Sequence, residues 1–156
     1  MKKTFILYAV IIVLVYACSG TNENQQSEDT KVADIWKEDT TPSDPKGVGK
    51  FTNVSIDPKL DHKMAANGNA IYDLKCSSCH KLTDERLVGP GFKNVTARRK
   101  PEWVMNFVTN VEEMLDKDSE AKAMLEICLV RMPNQNLSDD DARHVYEFLR
   151  KNDGVK

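Results

Sequence analysis

Two cysteines two residues apart and closed by a histidine, Cys76-Ser77-Ser78-Cys79-His80, constrain this chain more than any other feature. In one turn of helix, thiols at that spacing lie close enough to add across the two vinyl groups of a single porphyrin. The adjoining imidazole then reaches the iron from one face. This is the attachment signature of a c-type haem. A structural zinc site needs four ligands, usually from a second close pair, and here Cys128, His62 and His144 are scattered singly. A thioredoxin-like redox pair needs a βαβ context, and no alternating strand pattern surrounds Cys76. One haem c, covalently held by Cys76 and Cys79 and ligated by His80, is the expectation.

The first residues fit an exported protein. Lys2 and Lys3 precede an uncharged apolar run from Phe5 to Tyr16, too short to span a bilayer comfortably and suited to a signal peptide. The run ends in Val15-Tyr16-Ala17-Cys18-Ser19, a small residue before cysteine. Residues 1–17 therefore read as a lipoprotein signal peptide and Cys18 as the acylated first mature residue. An uncleaved membrane anchor is the alternative. Both readings put the rest of the chain outside the cytoplasmic membrane, the lipoprotein reading as a lipid-anchored protein facing the periplasm. Thioether formation suits that compartment.

The 156 residues carry 22 basic and 24 acidic side chains, and one domain is the prior at this length. Without Lys2 and Lys3 the balance is 20 against 24, or −4. Such a mildly acidic body argues against a nucleic-acid partner. Residues 18–46 are rich in Thr, Asn, Gln, Ser, Glu and Asp, stiffened by Pro42 and Pro45, and read as a disordered tether. Val32-Ala33-Asp34-Ile35-Trp36 is its one apolar island. Residues 47–59 differ: Val48, Phe51, Val54 and Ile56 suggest an extended segment laid on the domain and ended by Pro58.

Residues 60–152 show four helical patterns and no convincing strand, so the fold class is all-α. The first covers 61–75, with Ala70, Ile71 and Leu74 as its apolar positions. Gly68 costs that helix about 1 kcal/mol relative to alanine, a cost consistent with close approach of another helix. Residues 82–99 read as loop. Pro101 suits the first position of a second helix, with Val104, Phe107, Val108 and Val111 as a buried stripe. A third helix spans 119–130, with Ala121, Met124, Leu125 and Cys128 on one face. After the break at 131–136, Ser138 caps a last helix, with Asp139, Asp140 and Asp141 in its first turn. Ala142, Val145, Tyr146, Phe148 and Leu149 form its apolar face.

On these residues the domain resembles the class I cytochromes c. In that family a glycine and an aromatic on the first helix cross the last helix, and Gly68 and Tyr72 stand opposite Phe148-Leu149. The Gly89-Pro90 pair matches the family's Gly-Pro, whose proline carbonyl accepts the histidine's second ring N–H. Met132-Pro133 stands where the family places its sixth iron ligand. The resemblance implies about four helices around one haem, with His80 and Met132 on the iron. It also implies Arg98, and as a second donor the Trp103 indole, near the haem propionates. A narrower similarity, carried by residues 88–100 and by Asn134-Gln135-Asn136-Leu137, is to the monohaem lipoprotein cytochromes beside some bacterial nitrous oxide reductases.

The residues leave other assignments open. Met105, Met114 and Met124 lie in or beside helical patterns and read as core filler, whereas Met132 lies in a helix-free loop. His62 or His144 would be needed for a bis-histidine iron. Cys128 reads as a buried small hydrophobe rather than a reactive thiol. The expected function is transfer of single electrons between membrane or periplasmic redox partners, with no enzymatic turnover. A quinol-oxidising complex or other reductase would stand upstream, and a terminal oxidase or nitrous oxide reductase downstream. The alternatives are a haem enzyme or small-ligand sensor with an open sixth position, for which Arg131 is the one polar candidate, and a fixed haem subunit of a larger oxidoreductase.

Overall fold

The first cysteine of the haem motif closes the helix that precedes it, and the fold is best followed outward from there. The computed structural model describes residues 44–156. Cys18, residues 1–17, the apolar island at 32–36 and most of the 18–46 stretch lie outside the described residues. Helix α1 (His62–Lys75) begins at Asp61, whose carboxylate accepts the Met64 N–H at 2.8 Å, and ends where the Cys76 N–H bonds the Tyr72 carbonyl. One turn at α2 (Val95–Arg98) follows the haem-motif loop, then α3 (Pro101–Thr109), α4 (Val111–Lys117), α5 (Ser119–Cys128) and α6 (Asp139–Asn152). The described residues form no strand, only an isolated bridge between His80 and Arg86. None of their helices is long and apolar enough to cross a membrane.

Helices α1 and α6 make the main crossing. Gly68 permits it: a Cβ placed there would lie 2.0 Å from the His144 carbonyl oxygen and 2.8 Å from Phe148 Cβ. The Tyr72 and Phe148 rings then meet at 5.3 Å. The buried face of α1 is Ala65, Gly68 and Tyr72; of the stripe expected from periodicity, Ile71 packs half-buried on the core while Ala70 is exposed. Leu74 lies off the crossing and lines a cavity beside Cys76, because the crossing point at Gly68 sets the rotation of the helix. The last helix matches its expected face: Ala142, Val145, Tyr146, Phe148 and Leu149 are all buried, and Ser138 and Asp141 form a reciprocal capping box.

Two expected elements divide differently. The stripe from Val104 to Val111 is broken at Asn110, which leaves helical conformation (φ −140°, ψ 51°) and separates α3 from α4. Val111 therefore belongs to the next helix, although it is fully buried. The stretch read as loop before residue 100 contains α2. Its start is capped from across the sequence, where the Asp153 carboxylate accepts the N–H groups of Asn94 (2.7 Å) and Thr96 (2.9 Å).

Residues 47–59 run without helix or strand along the domain, and Val48, Phe51, Val54 and Ile56 pack against the core. Buried polar side chains fasten this strap. The Asn106 amide accepts the Phe51 N–H at 2.9 Å and donates to the Phe51 and Lys46 carbonyls. Glu102 accepts the Val54 N–H at 3.0 Å. Just before the strap the Gly47 N–H closes a turn on the Asp44 carbonyl at 2.8 Å. At the strap's far end Glu147, fully buried, joins Arg143, Arg150 and the Asp61 N–H. Burial raises the Glu147 pKa, but the hydrogen bonds and guanidinium charges outweigh it and hold the carboxyl below its ordinary value.

Candidate haem site

The motif leaves α1 through a tight hydrogen-bonded turn. The Cys79 and His80 N–H groups both bond the Cys76 carbonyl, at 3.0 and 2.9 Å. The Cys79 carbonyl in turn accepts the N–H groups of Val88 and Gly89, which folds the following loop back under the motif. Tyr72 donates its hydroxyl to the His80 carbonyl at 2.6 Å.

His80 is held on three sides. Its Nδ1 lies 2.9 Å from the Pro90 carbonyl, and a carbonyl only accepts, so Nδ1 carries the hydrogen. Nε2 is then the lone-pair nitrogen available to a metal. Burial lowers the imidazole pKa and outweighs the opposing effect of the Pro90 bond, favouring the neutral ring a ligand requires. Gly89 sits so close that a Cβ there would lie 2.2 Å from His80 Cε1. Phe92 stacks on the imidazole, centroids 4.5 Å apart and planes 12° from parallel.

A cavity of about 280 Å³ opens beside this histidine. Cys76, Cys79, His80 and Met132 all line it, with Val104, Phe107, Val108, Val145 and Leu149 among its apolar walls. Burial pushes the Cys76 thiol up to about 11, so while uncoupled it stays protonated at neutral pH. Two thiols, an oriented imidazole and a thioether around an apolar cavity fit a haem c, with soft sulfur and imidazole donors suited to iron. No cluster of His, Cys, Asp and Glu capable of holding a bare metal ion occurs among the described residues.

The remaining candidates fall out as follows. Pro90 lines the cavity and holds His80. Arg98 borders the same cavity, its guanidinium directed at the carbonyls of Gly91 (3.4 Å) and Lys93 (3.2 Å). Trp103 also lines the cavity. Its indole N–H points at Asp118 Oδ1, 3.4 Å away, the oxygen that also caps α5 through the Ala121 N–H. The ring is buried wall, with the Arg99 guanidinium 4.6 Å from its centroid. Neither His62, which is exposed, nor His144, half-buried against α1, is among the cavity's lining residues.

Met105 and Met114 are core, as expected, and Met124 packs half-buried against the same core while also lining the cavity with His80 and Met132. One correction concerns α5: Cys128 is only half-buried, on a second hollow that it shares with His80 and Met132. A helix face bordering a cofactor cavity and one bordering solid core have the same periodicity, so the sequence could not separate them. Phe92 left no signal either, lying in a loop without periodicity.

The family described as Cytochrome c matches residues 65–153. A cytochrome c from Rhodothermus marinus is similar in structure, with 31% identity, a TM-score of 0.67, and coverage of 70% of this chain and 97% of that one. An engineered Rhodothermus marinus cytochrome c, Rma TDE, is similar at 30% identity and TM-score 0.67, covering 70% of this chain and 98% of that one. The same engineered protein bound to a carbene intermediate gives 30% identity and TM-score 0.64 at the same coverage. None of the curated proteins compared matches this chain.

Proposed function

This chain belongs to the cytochrome c family and binds haem c covalently, and on that premise we propose that it carries single electrons between membrane or periplasmic redox partners. The observation that carries the reading is the shared cavity, lined by both the oriented imidazole of His80 and the thioether of Met132, the two side chains that would hold the iron of a bound haem. Bound haem supplies a one-electron iron couple. The chain's residues do the rest. Cys76 and Cys79 tether the group, the Pro90 carbonyl fixes which nitrogen of His80 faces the metal, and the apolar walls keep water out. A methionine donor and an apolar surround favour a higher reduction potential than a bis-histidine, solvated site. Arg98 stands at the cavity edge as the guanidinium partner for a haem carboxylate.

Docking fits the same reading. Leu87, Val88, Ile127, Leu129 and Val130 are exposed apolar side chains from two segments near the cavity, bridged by Arg86 donating to the Ile127 carbonyl at 2.6 Å. A small apolar patch of this kind suits a brief encounter with a redox protein. We assign the upstream partner to a quinol-oxidising complex or other reductase, and the downstream partner to a terminal oxidase or nitrous oxide reductase. Acylation at Cys18 would hold the protein on an exported membrane face. The sensor or enzyme reading has less support, since Arg131, its one polar candidate, is committed to Glu112 and Asp116.

Met132→Ala tests the proposal. Covalent haem should remain, because Cys76 and Cys79 are untouched. The oxidised protein should lose its sulfur-to-iron absorption band, its reduction potential should fall, and carbon monoxide should bind the reduced form. An unaltered spectrum and potential would assign the sixth position to another residue. Rapid carbon monoxide binding by the unsubstituted protein would move the sensor or enzyme reading ahead.

A further inference from the structure

The loop that carries Met132 is fastened in an unusual way. Among the described residues, 130–137 neither give nor take a backbone-to-backbone hydrogen bond. Met132 and Leu137 pack half-buried against the core. The polar fastenings to the rest of the domain are two side-chain clips. At one end Arg131 Nη2 reaches Glu112 Oε2 at 2.8 Å and Asp116 Oδ1 at 2.9 Å, both on α4. Those carboxylates sit one turn apart and would repel each other without it. At the other end Lys75 Nζ donates to the Gln135 carbonyl at 2.8 Å, and Lys75 is the residue before Cys76.

We infer that these two clips set how readily the sixth iron position opens, with Arg131 and Lys75 acting as positioning residues for Met132. The inference rests on Met132 being the distal ligand. Arg131, Glu112 and Asp116 are 46%, 64% and 60% exposed, so salt screens their attraction. Loosening either clip leaves the loop on the other clip and two half-buried apolar side chains, and the sulfur leaves more often. A small neutral ligand such as imidazole then takes the vacated position, one bond to iron replacing another with no change in electron count.

The experiment is stopped-flow binding of imidazole, which is uncharged enough to isolate the clip's own salt response, to the oxidised holo-protein at neutral to mildly alkaline pH. At low salt Arg131→Gln should bind about two- to fivefold faster than the unsubstituted protein, the range set by the modest strength of exposed ion pairs. Its sulfur-to-iron band should weaken in parallel. Arg131→Lys should restore part of the difference, and Lys75→Met should give a smaller increase. Raising salt to about 1 M, where the Debye length is roughly 3 Å, should speed the unsubstituted protein and leave Arg131→Gln nearly unchanged. Arg131→Gln binding at the unsubstituted rate, with the same salt response, would overturn the inference. Met132→Ala separates the two levels. If it binds fast while Arg131→Gln does not, the clips fail and the ligand stands; if it also binds at the unsubstituted rate, the ligand assignment itself fails.

Discussion

The two sides of the haem cavity are built on opposite plans. On the His80 side the chain is locked by its own backbone: a turn at Cys76, two N–H groups on the Cys79 carbonyl, Tyr72 on the His80 carbonyl and Pro90 on the ring. On the Met132 side a helix-free loop is pinned by long charged side chains at its two ends. Backbone bonds within a buried turn fix a position and respond little to salt. Clips made by exposed charges hold a position loosely and are screened. The His80 imidazole is therefore held fast and the Met132 thioether is poised, a difference that follows from what each side chain's neighbours are made of.

Crowding the locked side should have the largest effect. Gly89→Ala places a methyl 2.2 Å from His80 Cε1 and 2.7 Å from both ring nitrogens. The ring has no room to yield between Pro90 and Phe92. We expect a loss of about 3 kcal/mol in stability, with a fall in covalent holo-protein measured by haem stain and thermal unfolding. If Gly89→Ala matched the unsubstituted protein, the locked description of this side would be wrong.

A subtler cut sharpens the contrast. Tyr72→Phe keeps the ring against Phe148 but leaves the His80 carbonyl without its buried donor. The expected cost is about 1–3 kcal/mol, seen as a lower unfolding midpoint with a largely unchanged sulfur-to-iron band. A band that weakened as much as in Arg131→Gln would show that the two sides are not independent.

The smallest effect belongs to the poised side. Leu129 follows α5 with φ +60° and is 83% exposed, a left-handed conformation that costs a non-glycine residue about 1 kcal/mol. Leu129→Gly relieves that strain but adds unfolded-chain entropy, so stability should rise by roughly 0.5 kcal/mol or less. Electron transfer to a partner should slow in the same variant if the apolar patch docks it. A clear loss of stability would mean that the leucine side chain supports the loop.

Much of the site was legible because its information is local. The spacing of Cys76, Cys79 and His80 defines the attachment chemistry wherever the chain folds. Ser138 followed by three aspartates writes a helix start into four consecutive residues, and the last helix carries its buried face in its own periodicity. Gly68 signalled a close approach through its propensity cost alone. The Gly89-Pro90 pair and Met132 came from family resemblance, and the structure brings Pro90 and Met132 to the cavity that His80 lines and Gly89 against the His80 ring.

What only tertiary structure decided depends on which neighbour a residue meets. Leu74 and Tyr72 are both apolar residues on α1, and the crossing at Gly68 buries one against α6 and turns the other to the cavity. Met124 and Met114 look alike in sequence, yet one faces the cavity and the other the strap and core. Trp103 finds Asp118 because the break at Asn110 folds α4, and the Asp118 that follows it, back beside α3. Asn106 and Glu102 read as polar positions on a helix until the strap supplies the backbone groups that explain their burial. Sequence determines what a residue can bond and how its own segment bends, since both are set within a few residues. Its partner across the fold is chosen by the packing of segments dozens of residues apart, which no local pattern encodes.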